Sequence, residues 1–274
     1  MLTFLFIDGL GLTADPRSPL HTANIPTLNA LTHNFAPRAF DQPHLAYRAL
    51  DARLGIEGLP QSGTGQTTLL TGVNAAEVLG HHQGPHPGSR LQALLRLHSL
   101  PVRATAKGLR MIHTNGYRTD YLERVLAARR NMLSAFAFAS RVAGLDLLDL
   151  EHPKAVGAAF WDNPEAAGLK LATLAKQHDL TFFEYWALDY AGHRHPEVLE
   201  ERLMELDRFV TGYLNAPSPP TLLLTSDHGN AEEPWHAQHT TNPVPLVVKG
   251  PLAGALKQAQ SLTDVAGWVE QTWD

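Results

Sequence analysis

The sequence predicts an α/β protein with a mainly parallel sheet flanked by helices. Two observations predict it. Short apolar runs recur along the chain, and helical patterns fill the intervals between them. The runs are LTFLFI (2–7), LRMIH (109–113), LTFFEYWAL (180–188), TLLLT (221–225) and VPLVVKG (244–250). They lack polar–apolar alternation and end in polar or glycine-containing turns, as strands buried on both faces of a parallel sheet do.

The helical intervals follow in order. SRLQALLRLHSL (89–100) is one. NPEAAGLKLATLAKQH (163–178) opens with an Asn cap and a Pro at the first helical position. In HPEVLEERLMELDRFVTGYLN (195–215), Val198, Leu199, Leu203, Leu206, Val210 and Leu214 share roughly one face. SLTDVAGWVEQTW (261–273) closes the chain. The stretch 116–160 interrupts this rhythm, being helical and rich in arginine (Arg118, Arg124, Arg129, Arg130, Arg141). The expected organisation is a sheet core built from 1–115 and 161–274, with 116–160 either further core helix or, as is expected here, a small helical cap inserted into it.

Composition removes several function classes. Over 274 residues, 44% apolar and 18% charged content allows a sizeable core. The formal net charge of −5, with no long basic run, argues against nucleic acid as a partner. The apolar start MLTFLFIDGLG is too short to span a bilayer and lacks a basic region and a cleavage site, so a cytoplasmic location is expected and no membrane partner. There is no cysteine, so disulfides and thiolate metal sites are excluded. A metal would be held by His, Asp, Glu or hydroxyl groups, a donor set that suits zinc, manganese or magnesium.

Sites in open α/β sheets gather at the carboxyl ends of strands. Asp8 directly follows the first run, Asp189 the run at 180–188, and Asp227 with His228 the run at 221–225. An Asp after a strand is a common turn residue. Three together, each with a nearby glycine, favour a site. In ALDYAGHRH, Asp189 and His193 stand four apart, so on one helical turn or a tight loop both can face one ion. His239 is placed to complete a set, whereas His195 and His236 read as surface or loop positions. In GLPQSGTGQTTLLTG (58–72), Ser62 and Thr64 are placed to cap a helix. A serine at a helix N-terminus lies where the dipole stabilises an alkoxide and a bound phosphate. Serine needs a base or a metal for activation, and metal ligands are the abundant resource here.

These residues resemble the alkaline phosphatase superfamily of metalloenzymes. The branch most similar is that of cofactor-independent phosphoglycerate mutase and phosphopentomutase. SDHGNAEEPWHAQHTTNPVPLVV resembles their C-terminal signature, DYAGH their Asp-x-x-Gly-His element, IDGLG their opening strand with its metal-binding Asp, and SGTGQTTLLTG their nucleophile helix. Gly65-Gln66 stands where the mutases carry Gly-His. The resemblance implies two divalent metal ions, manganese or zinc. Asp189, His193 and His239 would bind one, and Asp8, Asp227 and His228 the other, with Ser62 bridging or contacting it. It also implies a phosphatase or phosphomutase that acts on a small phosphorylated substrate through a phosphoserine at Ser62, with Thr64 as the lesser nucleophile. Arg118, Arg129 and Arg130 are the expected substrate-binding residues. The alternatives are a hydrolase of another ester (sulfate ester, phosphonate or phosphodiester) and a non-catalytic metal-binding protein of the same fold.

Overall fold

The five apolar runs are all strands in the structure, a computed structural model that describes residues 1–273. In chain order the strands are β1 (Leu2–Ile7), β2 (Phe40–Gln42), β3 (Leu45–Leu50), β4 (Met111–His113), β5 (Asn115–Tyr117), β6 (Leu148–Asp149), β7 (Val156–Gly157), β8 (Leu180–Tyr185), β9 (Thr221–Ser226) and β10 (Val244–Lys249). Seven of them form one sheet in the order β2-β3-β10-β9-β1-β8-β4. The centre, β9-β1-β8-β4, is parallel. β10, β3 and β2 add an antiparallel flank. LAYRAL (45–50) is a strand that the sequence reading did not indicate. The run at 180–188 ends earlier than expected, because Ala187 already opens a helix, Ala187–Arg194.

Side chains alternate across the sheet. Leu2, Phe4 and Phe6 face one core, with Leu180 and Phe182 beside them. Leu5, Ile7, Phe183 and Tyr185 face the other. The first core receives the helices Ser62–Thr71 and Ala135–Val142, the second the helices Pro164–Ala175 and Leu199–Leu214. The result is the three-layer α/β architecture that the strand pattern predicts, and it agrees with the alkaline-phosphatase-like core that the resemblance implies. Asn163 caps its helix as expected, accepting from the Ala166 amide.

Between 116 and 160 the two helices Thr119–Ala127 and Ala135–Val142 are present, and with them β6 and β7, which pair with β5 in a separate three-stranded sheet. The second helix is not superficial, since Ala135 to Ser140 are all buried. Phe136 stacks on Phe6 at 4.6 Å and meets Phe4 and Phe182 edge-on at 5.3 and 5.4 Å. Fixing this helix against the sheet fixes its first residues, Ser134 and Ala135, at the end where β1 and β8 stop.

Truncating Phe136 removes a ring from that cluster and leaves a cavity. Phe136→Ala is expected to lower unfolding free energy by about 3–5 kcal/mol, read from the midpoint shift in urea denaturation. A loss below 1 kcal/mol would mean that the helix is not part of the folding core.

Candidate metal centre

Register places the site. Ile7 of β1 pairs with Tyr185 of β8 and with Ser226 of β9, so three neighbouring strands end level. The next residues are Asp8, then Trp186 with the helix carrying Asp189 and His193, then Asp227 and His228. Backbone bonds tie these exits together: the Asp8 amide donates to the Tyr185 carbonyl at 2.9 Å and the Ala231 amide to the Gly9 carbonyl at 2.9 Å.

The side chains converge in two groups with one residue in common. Asp8, Asp227 and His228 offer ligand atoms within 4.8 Å of one another, and so do Asp189, His228 and His239. His193 joins the second group: its Nε2 lies 2.9 Å from His239 Nε2 and 3.4 Å from Asp189 Oδ1. The rings of His228 and His239 stack at 3.7 Å between centroids. The sequence-level division gave His228 to one set only, whereas in the structure it lies between the two. His236 is elsewhere, bonded to Glu233, and His195 is exposed beside Glu197.

Two glycines make the approach of these elements possible. A Cβ on Gly65 would stand 2.8 Å from the Asp227 carbonyl oxygen, so only glycine lets the Ser62–Thr71 helix sit this close to β9. A Cβ on Gly192 would meet Asn230 Oδ1 at 2.0 Å. This explains the glycine within Asp-x-x-Gly-His: Asn230 packs there and donates to Asp189 Oδ1 at 3.0 Å.

Ser62 is the first residue of its helix, and the cap is Gln61, whose side chain makes no capping bond. The expected capping role of Ser62 is thus corrected. Its hydroxyl is turned to His228 Nε2 at 3.0 Å instead. Thr64 is buried and donates to the Gln61 carbonyl at 3.0 Å. Gln66, noted in the sequence only as a departure, connects the site to its surroundings. Its Nε2 donates to Asp227 Oδ2 at 3.1 Å and reaches Asp8 Oδ2 at 3.5 Å, while its Oε1 accepts from the Ala135 amide at 3.1 Å.

Sequence reasoning missed two further carboxylates. Glu184 is a lone acid inside an apolar strand, and that position was its available signal. It is buried, accepts from Ser134 Oγ at 3.0 Å and lies 3.2 Å from His113 Nε2. Glu232 is fully buried and orders the loop after β9, accepting from the amides of Gly11 and Asn230 and from Thr240. The three arginines expected at the substrate are all exposed. Arg118 pairs with Asp120 in solvent, Arg129 is exposed, and Arg130 lines a surface cavity of about 350 Å³ together with Arg96 and Arg141. None of the three is ion-paired to a cluster residue among the described residues.

The electrostatics of the cluster fit cations. Asp8 Oδ1 is buried without a hydrogen-bond partner. Among the described residues no Lys or Arg is ion-paired to Asp8, Asp189 or Asp227; the basic side chains beside them are the imidazoles of His193, His228 and His239. Burial, then the charges of Asp227, Asp189 and Glu184, push Asp8 well above the ordinary carboxylate range. Burial and the Asp189 charge raise Asp227 to about 7. Burial, with His239 adding to it, lowers His228 to about 3, so its ring is neutral and able to ligate. Burial alone would raise Asp189, but hydrogen bonds from His193 and His239 hold it below its ordinary range. The same contact with Asp189 raises His193. Crowded carboxylates, neutral imidazoles and an orphaned buried oxygen form a donor set for hard or borderline divalent metals.

A parallel sheet whose central strands deliver carboxylates and histidines into one buried cluster, beside a helix that opens on serine, defines a metal-binding α/β scaffold. The chain belongs to the Metalloenzyme superfamily, whose family model matches residues 2–272. Among curated proteins it is 48% identical over 50 residues to the 2,3-bisphosphoglycerate-independent phosphoglycerate mutase of Hahella chejuensis, a match covering 16% of this chain and 10% of that protein. Among solved structures it is similar to the PH0037 protein of Pyrococcus horikoshii (TM-score 0.59, 14% identity, 99% of this chain and 96% of that one). It is similar also to the phosphoglycerate mutase of Leishmania mexicana (TM-score 0.58, 9% identity, 97% and 93%). A cold-active alkaline phosphatase from a psychrophilic Shewanella species shares the fold (TM-score 0.53, 11% identity, 99% and 100%). The family and the cluster together indicate use of divalent metal. No described helix is long and apolar enough to cross a membrane.

The proton linkage of the metal-free protein has a definite sign. Asp8, Asp227 and His193 keep protons in the folded state that the unfolded chain gives up, so their contribution is lost as pH rises through the folded values. His228 acts in the opposite direction, but only between about 3 and its ordinary value near 6.5. From pH 6.5 upward His228 no longer opposes the first three. The Tm of metal-free protein is therefore expected to fall between pH 6.5 and 8. Added divalent metal should raise Tm more at pH 8 than at pH 6, because binding displaces those protons. Differential scanning calorimetry with and without metal checks this; a metal-induced rise that shrinks with increasing pH would contradict it.

Proposed function

We propose that the protein is a metal-dependent phosphoryl-transfer enzyme that acts on small phosphoesters through a phosphoserine at Ser62, with net hydrolysis as the outcome. The observation that carries this reading is the Ser62 hydroxyl, 3.0 Å from His228 Nε2 at the start of the Ser62–Thr71 helix and inside the carboxylate–histidine cluster. Asp8, Asp227 and His228 would hold one ion, and Asp189, His193 and His239 a second, manganese or zinc by donor type. When bound, such ions neutralise charge on the attacking and leaving oxygens of an in-line displacement.

The chain's own residues account for the rest. The positive end of the helix favours a phosphate group over Ser62. Gln66 and Asn230 hold Asp227 and Asp189 in orientation. Ser62 Oγ forms a bond to phosphorus as the bond to the leaving oxygen breaks; the serine proton passes to solvent and the departing oxygen takes one up, leaving as the alcohol. Water then attacks phosphorus, the Ser62 Oγ–P bond breaks, and serine is regenerated. Thr64 is held by its bond to Gln61 and is turned away from this role.

Geometry disfavours a Ser-His-Asp triad built from the same residues. A triad requires the acid on Nδ1 and the serine on Nε2. Here Ser62, Asp8 and Asp227 all face Nε2 of His228, at 3.0, 3.4 and 3.4 Å, and its buried Nδ1 has no partner. A histidine lowered to about 3 is also a poor proton acceptor near neutral pH. Nε2 pointing at two carboxylates and a hydroxyl is the arrangement of a metal ligand.

Incubation of metal-loaded protein with a panel of phosphoesters should release inorganic phosphate with little isomerised product. Intact-mass analysis after acid quenching should find a phosphoryl adduct on Ser62. Ser62→Ala should retain its fold and metal content and lose turnover by at least about a hundredfold; near-normal turnover would move the role away from this serine. Elemental analysis by mass spectrometry is expected to give up to two transition ions per chain, with less metal and less activity in Asp227→Asn and in His193→Ala. Full occupancy in both variants would refute the ligand assignment.

A further inference from the structure

Three large aromatic side chains stand in solvent beside the cluster. Phe160 is 59% exposed, Trp186 39% and Tyr190 43%, values far from those of packed aromatic residues. They are contiguous: Phe160 meets Trp186 edge-on at 5.7 Å, and Trp186 meets Tyr190 edge-on at 5.8 Å. They come from separate parts of the chain, since Phe160 ends the 116–160 segment and the other two belong to the exit from β8.

Their position relative to the cluster follows from helix geometry. Trp186 caps the helix Ala187–Arg194, and Trp186, Asp189 and His193 are spaced i, i+3, i+7, which places them on one face. Tyr190 follows Trp186 by four residues, beside that face. The face that presents Asp189 and His193 therefore continues into a row of rings at the end of the sheet where the cluster lies.

The wall is held in place. Phe160 has φ +57, a left-handed conformation that a bulky residue rarely adopts. Beneath it the Arg202 guanidinium lies 4.8 Å from the ring centroid. Arg202 is itself buried and bonded to Glu205 at 2.5 Å, and Glu205 accepts from the Trp161 amide at 2.8 Å. The contact with Arg202 and the edge-on ring pairs fix the three rings, yet leave much of their surface in solvent. A flat ligand would gain a surface to stack on.

We propose that Phe160, Trp186 and Tyr190 form a stacking wall that selects phosphoesters whose leaving group carries a flat heteroaromatic ring of the nucleobase type. This rests on the phosphoryl-transfer reading and adds the substrate class. The phosphate would lie at Ser62 and the ring against the wall, the sugar or linker between them spanning the mouth of the cluster.

The test compares adenosine 5′-monophosphate with ribose 5-phosphate on metal-loaded protein. Both lose the same kind of primary alkoxide, so leaving-group reactivity cancels and the base is the difference between them. The wild-type ratio of kcat/KM should favour the nucleotide, and Trp186→Ala should lower that ratio on the order of tenfold, mainly through KM. Equal use of both substrates, with a ratio unchanged in Trp186→Ala and in Phe160→Ala, would overturn the wall while leaving phosphoryl transfer intact. Turnover of neither substrate would instead count against the phosphoryl-transfer reading. In that case the wall is judged by binding alone. Adenosine, which has no phosphate, should quench tryptophan fluorescence saturably in the wild type, with weaker affinity in Phe160→Ala, which keeps every tryptophan. Absence of quenching in the wild type would overturn the proposal.

Discussion

Asp8, Asp227 and the helix bearing Asp189 leave the sheet from three neighbouring parallel strands whose last residues are paired in register, Ile7 with both Tyr185 and Ser226. Parallel pairing makes those strands point the same way, and the common register makes them stop at the same level. Everything chemical in the molecule depends on that coincidence. A slip of one residue in β1 would turn Asp8 to the opposite face, away from Gln66 and the Ser62–Thr71 helix. The large cores on both faces specify the register, because such a slip would also move Phe4 and Phe6 out of the aromatic cluster around Phe136.

The cluster is held at an energetic cost. Three carboxylates and three histidines share a small, largely buried volume, and no Lys or Arg among the described residues is ion-paired to Asp8, Asp189 or Asp227. The raised positions of Asp8 and Asp227 express that crowding. Neutral hydrogen-bonding groups orient the charges: Gln66 on Asp227, Asn230 on Asp189, and Ser134 on nearby Glu184. Such groups position carboxylates without cancelling their charge, and that charge is what a divalent cation needs. Glycine performs the complementary task at 65 and 192, where the absence of a side chain lets a helix reach Asp227 and Asn230.

The segment between 116 and 160 contributes to both the core and the surface. Its second helix presses Phe136 into the sheet and presents the Ala135 amide to Gln66. Its end carries Phe160 out to Trp186. A stretch that reads in the sequence as one arginine-rich helical insertion is therefore divided between core packing and exposed surface. Of its arginines, Arg118 is paired in solvent and Arg130 lines a surface cavity.

The sequence by itself determined the parallel centre of the sheet, because runs buried on both faces fit strands between helices, but it did not show that VPLVVKG pairs antiparallel with β9 and β3. It also placed most of the candidate ligands, because acids and histidines at the ends of such strands gather at one edge. It did not determine LAYRAL as a strand, since a short antiparallel addition has no periodicity that distinguishes it from a loop. Tertiary structure alone decided that His228 lies between both ligand groups and that Ser62 is turned to His228 instead of capping its helix. It alone made Gln66 a link between Asp227 and Ala135, and made Phe160, Trp186 and Tyr190 neighbours. The physical reason is the same in each case. Local pattern fixes which face of an element is buried, whereas the direction of a side chain at the end of an element is set by whatever distant part of the chain packs beside it.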